Sequence, residues 1–213
     1  MKPELMNLFA VPVYKSALGR GFTKSEMKFF KDELSDPVTA ISNLSSRNKN
    51  VLDADPMKDI KTVLQKNVDT YFETIHNTAN DVTLKITQSW LTMTRRGESH
   101  HAHIHPNSIA SGVLYINLAE NDGISFYRNE DMIWYELIPK EHNYYNAHSY
   151  FINTGVGDMV IFPSNIKHGV KEVSLDIQRV SLSFNTFFSG ELGREAFSNS
   201  LNIKVNPQGG THA

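Results

Sequence analysis

The chain changes period near Thr83, and that switch most limits what it can fold into. Upstream, apolar residues recur at helical spacing. Downstream they alternate, as in Leu84-Lys85-Ile86-Thr87-Gln88-Ser89-Trp90-Leu91-Thr92-Met93. A period of two sends successive side chains to opposite faces of a sheet. Further strands are expected at Ile109–Asn117, Ile124–Tyr127, Ile133–Ile138, Tyr150–Asn153, Asp158–Phe162, Gly169–Val173 and Arg179–Phe187. Turn signals such as Asn121-Asp122-Gly123 and Gly155-Val156-Gly157 separate them. About eight short strands at this spacing make a sandwich or jelly-roll barrel.

The first third supplies helices. Leu8–Tyr14 reads as a short apolar strand, with Pro12 marking an edge. Thr23 and Glu26 form a capping-box pair ahead of a helix carrying Met27, Phe29, Phe30 and Leu34. Residues 42–55 are polar and loop-like. Asp55-Pro56 opens a second helix, whose Ile60, Val63, Leu64, Val68, Tyr71, Phe72 and Ile75 follow the 3.6-residue period. The expected organisation is one structural unit. Residues 1–82 are a strand and helices packing on the barrel, 83–190 the β core, and 191–213 an extension ending in a glycine-rich tail.

Composition narrows the function. With a net charge of -2 and no charge block, binding of nucleic acid or a membrane surface through bulk electrostatics has no support. No cysteine is present, which removes disulfides, thiolate metal sites and cysteine nucleophiles. Met1–Leu18 lacks an apolar run suited to a signal peptide or span. The expectation is a soluble, cytoplasmic protein, in which the triplet Asn43-Leu44-Ser45 carries no glycan.

Gly97-Glu98-Ser99-His100-His101-Ala102-His103-Ile104-His105-Pro106 places four of nine histidines within six residues. On a strand, His101, His103 and His105 share one face and His100 points to the other. Two imidazoles one residue apart can reach a single metal ion. His168, after the strand Asp158–Phe162, offers a third, and iron, zinc and copper all accept imidazole. Both His103/His105 and His101/His103 are geometrically open as the near pair. Arg179 follows eleven residues after His168, with Val180 and Ser181 next to it. A planar guanidinium binds carboxylates well.

Several blocks carry a resemblance: Gly97–Ser108 (GESHHAHIHPNS), Ser111–Tyr115 (SGVLY), Gly157–Ser164 (GDMVIFPS), His168-Gly169-Val170 and Arg179–Asn185 (RVSLSFN). In this order, from Trp90 to Phe188, the sequence resembles the iron(II)- and 2-oxoglutarate-dependent oxygenase superfamily. More narrowly it resembles an oxygenase family of marine bacteria and phages related to the prolyl 4-hydroxylase type. The resemblance implies a double-stranded β-helix (jelly roll, cupin-like) and a dioxygenase that hydroxylates a small-molecule or peptidyl substrate with O2. It implies Fe(II) on His103, His105 and His168, and 2-oxoglutarate held at its distal carboxylate by Arg179, Ser181 and Tyr115. The superfamily's His-x-Asp/Glu stands here as His103-Ile104-His105, which leaves an iron(II) site at charge +2. His103/His105 is the preferred pair because its distance from Gly97 matches the superfamily motif.

Other readings stay open on sequence. Three histidines also suit a zinc enzyme, and a jelly roll can be a non-catalytic binding module. The aromatic-rich stretch Arg128–Tyr150, with Trp134, Tyr135, Tyr144, Tyr145 and Tyr150, is either a substrate lid or ordinary core and edge. Asp158 belongs to the turn after Gly157 rather than to the metal, and Asn107 and Asn185 have no assigned step. Arg179 could instead pair with Asp176. Apolar edge strands are compatible with a homodimer.

Overall fold

The computed structural model describes residues 3–128 and 138–205. The strand expected at Ile133–Ile138, with Trp134 and Tyr135, lies outside these residues except for Ile138, as does the tail from Asn206. In chain order the elements are β1 (Tyr14–Ala17), α1 (Lys24–Glu33), β2 (Val38–Thr39), β3 (Leu44–Ser45), α2 (Lys58–His76), β4 (Val82–Thr94), β5 (His100–His103), β6 (Ala110–Asn117), β7 (Gly123–Tyr127), β8 (Ser149–Asn153), β9 (Asp158–Pro163), β10 (His168–Val170), β11 (Arg179–Leu192) and β12 (Leu201–Ile203).

The strands form two antiparallel sheets. The larger runs β1-β9-β6-β11-β4-β3-β2, with β12 on the far end of β11, and the smaller runs β5-β10-β7-β8. This meets the jelly-roll expectation. Three details differ from the sequence reading. Residues 8–13 form no strand, and β1 begins only at Tyr14, where its partners on β9 begin. The strand expected at Gly169–Val173 is the shorter β10, because Val173 instead exchanges backbone bonds with Gly97 and Glu98. The polar stretch 42–55 contains β3, which pairs with both β2 and β4.

The large sheet faces two environments. Leu91, Leu114, Met159, Ile161, Leu182 and Phe184 point outward into a core shared with α2, whose Ile60, Leu64, Val68 and Phe72 are buried against them. Each such side chain contributes about 1.5–3 kcal/mol relative to an exposed one. The alternate residues face the small sheet, where Tyr115, Val160 and Phe162 meet Ile124 and Phe126. Further along the same inner face, alternation continues as Arg179, Ser181 and Ser183 on β11, paired in register with Thr94, Thr92 and Trp90 on β4. The inner face is thus apolar at one side and polar where β11 and β4 meet.

Both helix starts follow their sequence signals. Thr23 Oγ1 accepts from the Glu26 backbone N–H at 3.2 Å, and Glu26 accepts from Thr23 N–H at 2.7 Å. Arg20 donates two bonds, of 2.9 and 2.6 Å, to the Glu26 carboxylate. The Asp55–Met57 turn leads into α2, and Asn77 closes it in the left-handed region (φ 39°). Glu26 is only 2 % exposed, so its removal strands both an N–H and a guanidinium. Glu26→Ala should lower unfolding free energy by about 1–3 kcal/mol. The measurement is a urea melt with an unchanged slope; a midpoint like that of the wild type would show that α1 does not depend on this cap.

Candidate active site

His103 ends β5 and lies directly opposite His168 on β10. His105 lies beyond the strand, where its N–H bonds the Ser164 carbonyl at 2.9 Å. One ligand atom from each of His103, His105 and His168 lies within 4.8 Å of the others. The His105 and His168 Nε2 atoms are 3.2 Å apart. His168 Nδ1 is 3.0 Å from the Ile166 carbonyl, and His103 Nδ1 is 2.7 Å from the His101 carbonyl. A carbonyl can only accept, so both Nδ1 atoms carry the proton and both Nε2 atoms keep a lone pair.

Surroundings keep these imidazoles neutral. Phe162 packs on His168 at 4.5 Å between centroids, and Trp90 on His105 at 5.8 Å. Burial, reinforced by the neighbouring imidazoles, pushes His105 down to about 3 and His168 down to about 4, and burial lowers His103 as well. Neutral imidazole is the form that binds a metal. Three converging lone pairs in a poorly solvated place are unfavourable without a cation, and this donor set suits a borderline divalent ion such as iron(II). Among the described residues no carboxylate joins the cluster.

The turn carrying His105 is tied to the core by buried hydroxyls. Ser164 Oγ donates to Ser108 Oγ at 2.7 Å and lies 2.8 Å from Ser111 Oγ, which donates to Asn185 Oδ1 at 2.9 Å. Asn107, at φ 58°, turns the chain from His105 back toward β6. The turn at Asn107 and the bond accepted by Asn185 give both residues structural work that sequence could not assign. Asp158 is likewise occupied elsewhere, accepting from Gly155 N–H and Lys15, each at 2.9 Å.

Other expected residues meet in one cavity of about 290 Å³, which includes all three histidines, Arg179, Ser181 and Tyr115. This is close to the small end of ligand-site volumes, roughly 300–1,000 Å³. Arg179 is 1 % exposed, with its Cζ 5.5 Å from the centre of the Tyr115 ring. Its partner is not Asp176 but Asp122, whose oxygens lie 3.0 and 3.2 Å from Nε, and Nη2 donates to the Gly123 carbonyl at 3.3 Å. Among the described residues the buried Tyr115 hydroxyl has no hydrogen bond of good geometry, the Thr154 side chain lying nearby, and burial raises its pKa. An orphaned phenol beside a buried guanidinium fits a carboxylate ligand.

Two wall features escaped the sequence reading. Alternation sends His100 to the opposite face, yet it lines the same cavity, with Nε2 2.7 Å from Thr94 Oγ1. The β5–β10 pairing shifts register between His168 and Val170, which breaks simple alternation. Burial first, then the Arg179 charge, pushes His100 down to about 3. Ala40, Ile41 and Asn43, from the loop between β2 and β3, also line the cavity. Asn43 Nδ2 holds the Ser99 carbonyl at 3.0 Å, and Ser99 N–H holds Ser42 O at 3.1 Å. In the stretch read as either lid or ordinary core and edge, the described Tyr144, Tyr145 and Tyr150 are exposed and do not line this cavity, and Tyr144 stacks on Tyr150 at 5.9 Å.

The model of a family described as "Putative 2OG-Fe(II) oxygenase" matches residues 88–185. Over that span, which holds the three histidines and Arg179, the chain matches the iron(II)- and 2-oxoglutarate-dependent oxygenases. No curated protein sequence matches this oxygenase. Its fold is that of HygX from Streptomyces hygroscopicus, solved with nickel and 2-oxoglutarate, at TM-score 0.56 and 10% identity over 83% of this chain and 82% of that one. A Pseudomonas putida prolyl-4-hydroxylase is similar at TM-score 0.52 and 11% identity, over 84% and 94%. A Trichoplax adhaerens prolyl hydroxylase, in complex with a peptide fragment, gives 0.53 and 14%, over 82% and 83%. The fold is therefore a double-stranded β-helix, and the oxygenase uses Fe(II), 2-oxoglutarate and O2. No helix among the described residues is long and apolar enough to cross a membrane.

Alanine at His103, His105 or His168 should each weaken Ni(II) or Fe(II) binding by more than the roughly 10–100-fold cost of losing an outer partner. His101→Ala should retain binding, since residue 101 offers the site a backbone carbonyl. Calorimetric metal titration decides it, and loss in His101→Ala with retention in His105→Ala would move the second ligand to residue 101.

Proposed function

We propose that His103, His105 and His168 hold the iron of this dioxygenase, and that Arg179, with Tyr115 and Ser181, holds the distal carboxylate of 2-oxoglutarate. The observation that carries this reading is a buried guanidinium and an orphaned phenol in the same small cavity as three converging imidazoles. With O2, the bound iron and 2-oxoglutarate supply an oxidation that releases succinate and CO2 and turns a substrate C–H into C–OH.

The chain's own residues act around that chemistry. The Ile166 and His101 carbonyls orient two imidazoles and fix their tautomers. The Trp90 and Phe162 rings exclude water from the ligand side. Tyr115 stays protonated because burial disfavours its anion, so it can only donate to a carboxylate. Ser181 stands in register beside Tyr115 on one side and Thr92 on the other, which places a row of hydroxyls across the polar inner face.

The substrate side is read from the mouth. Ala40, Ile41 and Asn43 form one wall, and Ile41 is 78% exposed. A small molecule or a peptidyl side chain with an uncharged reacting portion suits a wall without ionised groups. A cytoplasmic setting is consistent with the absence of cysteine. A homodimer would cover the exposed Leu5, Leu8 and Phe9 beside β1.

Arg179→Ala should weaken 2-oxoglutarate binding by about 10–100-fold, the worth of a charge-assisted contact. Anaerobic titration of the Fe(II)-loaded protein reads this as loss of the visible metal-to-cosubstrate band at concentrations that saturate wild type. Succinate formation should fall with it. A zinc hydrolase on the same imidazoles has no use for Arg179, so an unaltered variant would overturn the assignment.

A further inference from the structure

Asp122 holds Arg179 from behind the cavity, outside the residues that line it, and the reaction outlined above leaves it without a task. It sits on the turn Asn121-Asp122-Gly123, which enters β7, and Asn121 adopts φ 58° there. Its side chain is 13% exposed against 1% for Arg179, so the pair is largely withdrawn from water. Both carboxylate oxygens lie against a single N–H, Nε, while the Gly123 carbonyl takes Nη2. The described hydrogen bonds leave Nη1 unused. A carboxylate gripping the outer edge of the guanidinium thus leaves an edge for an incoming anion.

Charge bookkeeping then gives this pair a meaning. A two-histidine, one-carboxylate iron(II) site carries +1, and an unpaired anchoring arginine adds another, for a total of +2. Here three neutral imidazoles leave the metal at +2, while Arg179 and Asp122 cancel. The total is again +2, the charge that a 2-oxoglutarate dianion neutralises. Arg179 and the three histidines line one cavity, and in it the Arg179 charge adds to burial in lowering the His100 imidazole.

Resting on the assignment of Arg179 as cosubstrate anchor, we infer that Asp122 supplies, at the arginine, the negative charge that is missing from the metal's ligand set, and that it stays paired with Arg179 when the cosubstrate binds. Asp122 touches neither the metal ligands nor the substrate wall in the described bonds and is a positioning and balancing residue. Its charge has opposite consequences for the two ligands. It favours the cation when the cosubstrate is absent and opposes the dianion when it arrives.

Asp122→Asn keeps an acceptor oxygen for Nε and removes only the charge. Calorimetry on this variant should show Ni(II) affinity, measured without 2-oxoglutarate, reduced about tenfold. The affinity of the Ni(II)-loaded variant for 2-oxoglutarate should rise about tenfold. A purely structural role would weaken both, and that result, or no change in either, overturns the inference. Should the variant fail to fold, side-chain NMR of the wild-type Zn(II) form answers the same question. The Arg179 Nε–H signal should persist when 2-oxoglutarate is added, and its loss to exchange would mean that Asp122 is displaced, against the inference. Arg179→Ala run in parallel separates the two claims. If it binds 2-oxoglutarate normally, the anchor assignment fails; if it does not bind and Asp122→Asn is unaltered, only the balancing role fails.

Discussion

The pairing of His103 with His168 across β5 and β10 is the contact from which the site is built. It puts two imidazoles with centroids 4.6 Å apart between two sheets, and the His105 turn adds a third at 5.0 Å from each. Bringing three lone pairs together is a cost to the folded chain, met by stability from elsewhere. The outward face of the large sheet and α2 provide it, in an apolar core with no polar task. The buried hydroxyls of Ser111 and Ser164, with the half-buried Ser108, then transmit that rigidity to the His105 turn. The division of the large sheet into an apolar outer and a polar inner face is therefore also a division between stability and chemistry.

How much of this could be read in the sequence follows from the range of each interaction. The two helices and most core strands were legible because capping and periodicity are local. Thr23 and Glu26 stand three residues apart, and α2 repeats its apolar face over nineteen residues. His103, His105, His168 and Arg179 stood out through their order and spacing, which resemble the superfamily motif. What failed depended on pairing between distant segments. The partner of Arg179 is Asp122, 57 residues away and closer to another turn than to any site motif. His100 was sent to the wrong face because a register shift in a two-strand ladder leaves no trace in composition. Residues 42–55 read only as a polar loop and Ala40 and Ile41 drew no reading, yet β3 pairing with β4 carries this segment to the cavity mouth.

The aromatic-rich stretch teaches a related lesson. Tyr144 and Tyr150 stack on each other, and Arg128 donates to the Tyr144 and Tyr145 carbonyls at 3.0 and 2.8 Å. These described tyrosines remain exposed, two of them stacking on one another. Clustering of aromatics in sequence reports apolar surface that must be covered, not the side of the barrel on which it lies. The residues at the mouth come instead from Ala40, Ile41 and Asn43, a segment held by two contacts to the Ser99 backbone.

Exchange of a carboxylate ligand for histidine is a local change with a non-local consequence. An imidazole fills the same coordination position with a comparable donor, but it removes one negative charge from a poorly solvated cavity, where charges interact strongly. The imbalance would either repel the metal or bind the dianion too tightly to let its product leave. On the inference drawn above, the Asp122 carboxylate beside the guanidinium would offset this without touching the coordination geometry, acting through its charge while the Gly123 carbonyl holds Arg179 Nη2. Gly123 has to be glycine for that arrangement: a Cβ there would meet the Ile152 carbonyl at 1.9 Å, forcing β7 away from β8 and the Asp122 turn with it. Charge balance at the metal is thereby tied to close packing between two strands that carry none of its ligands.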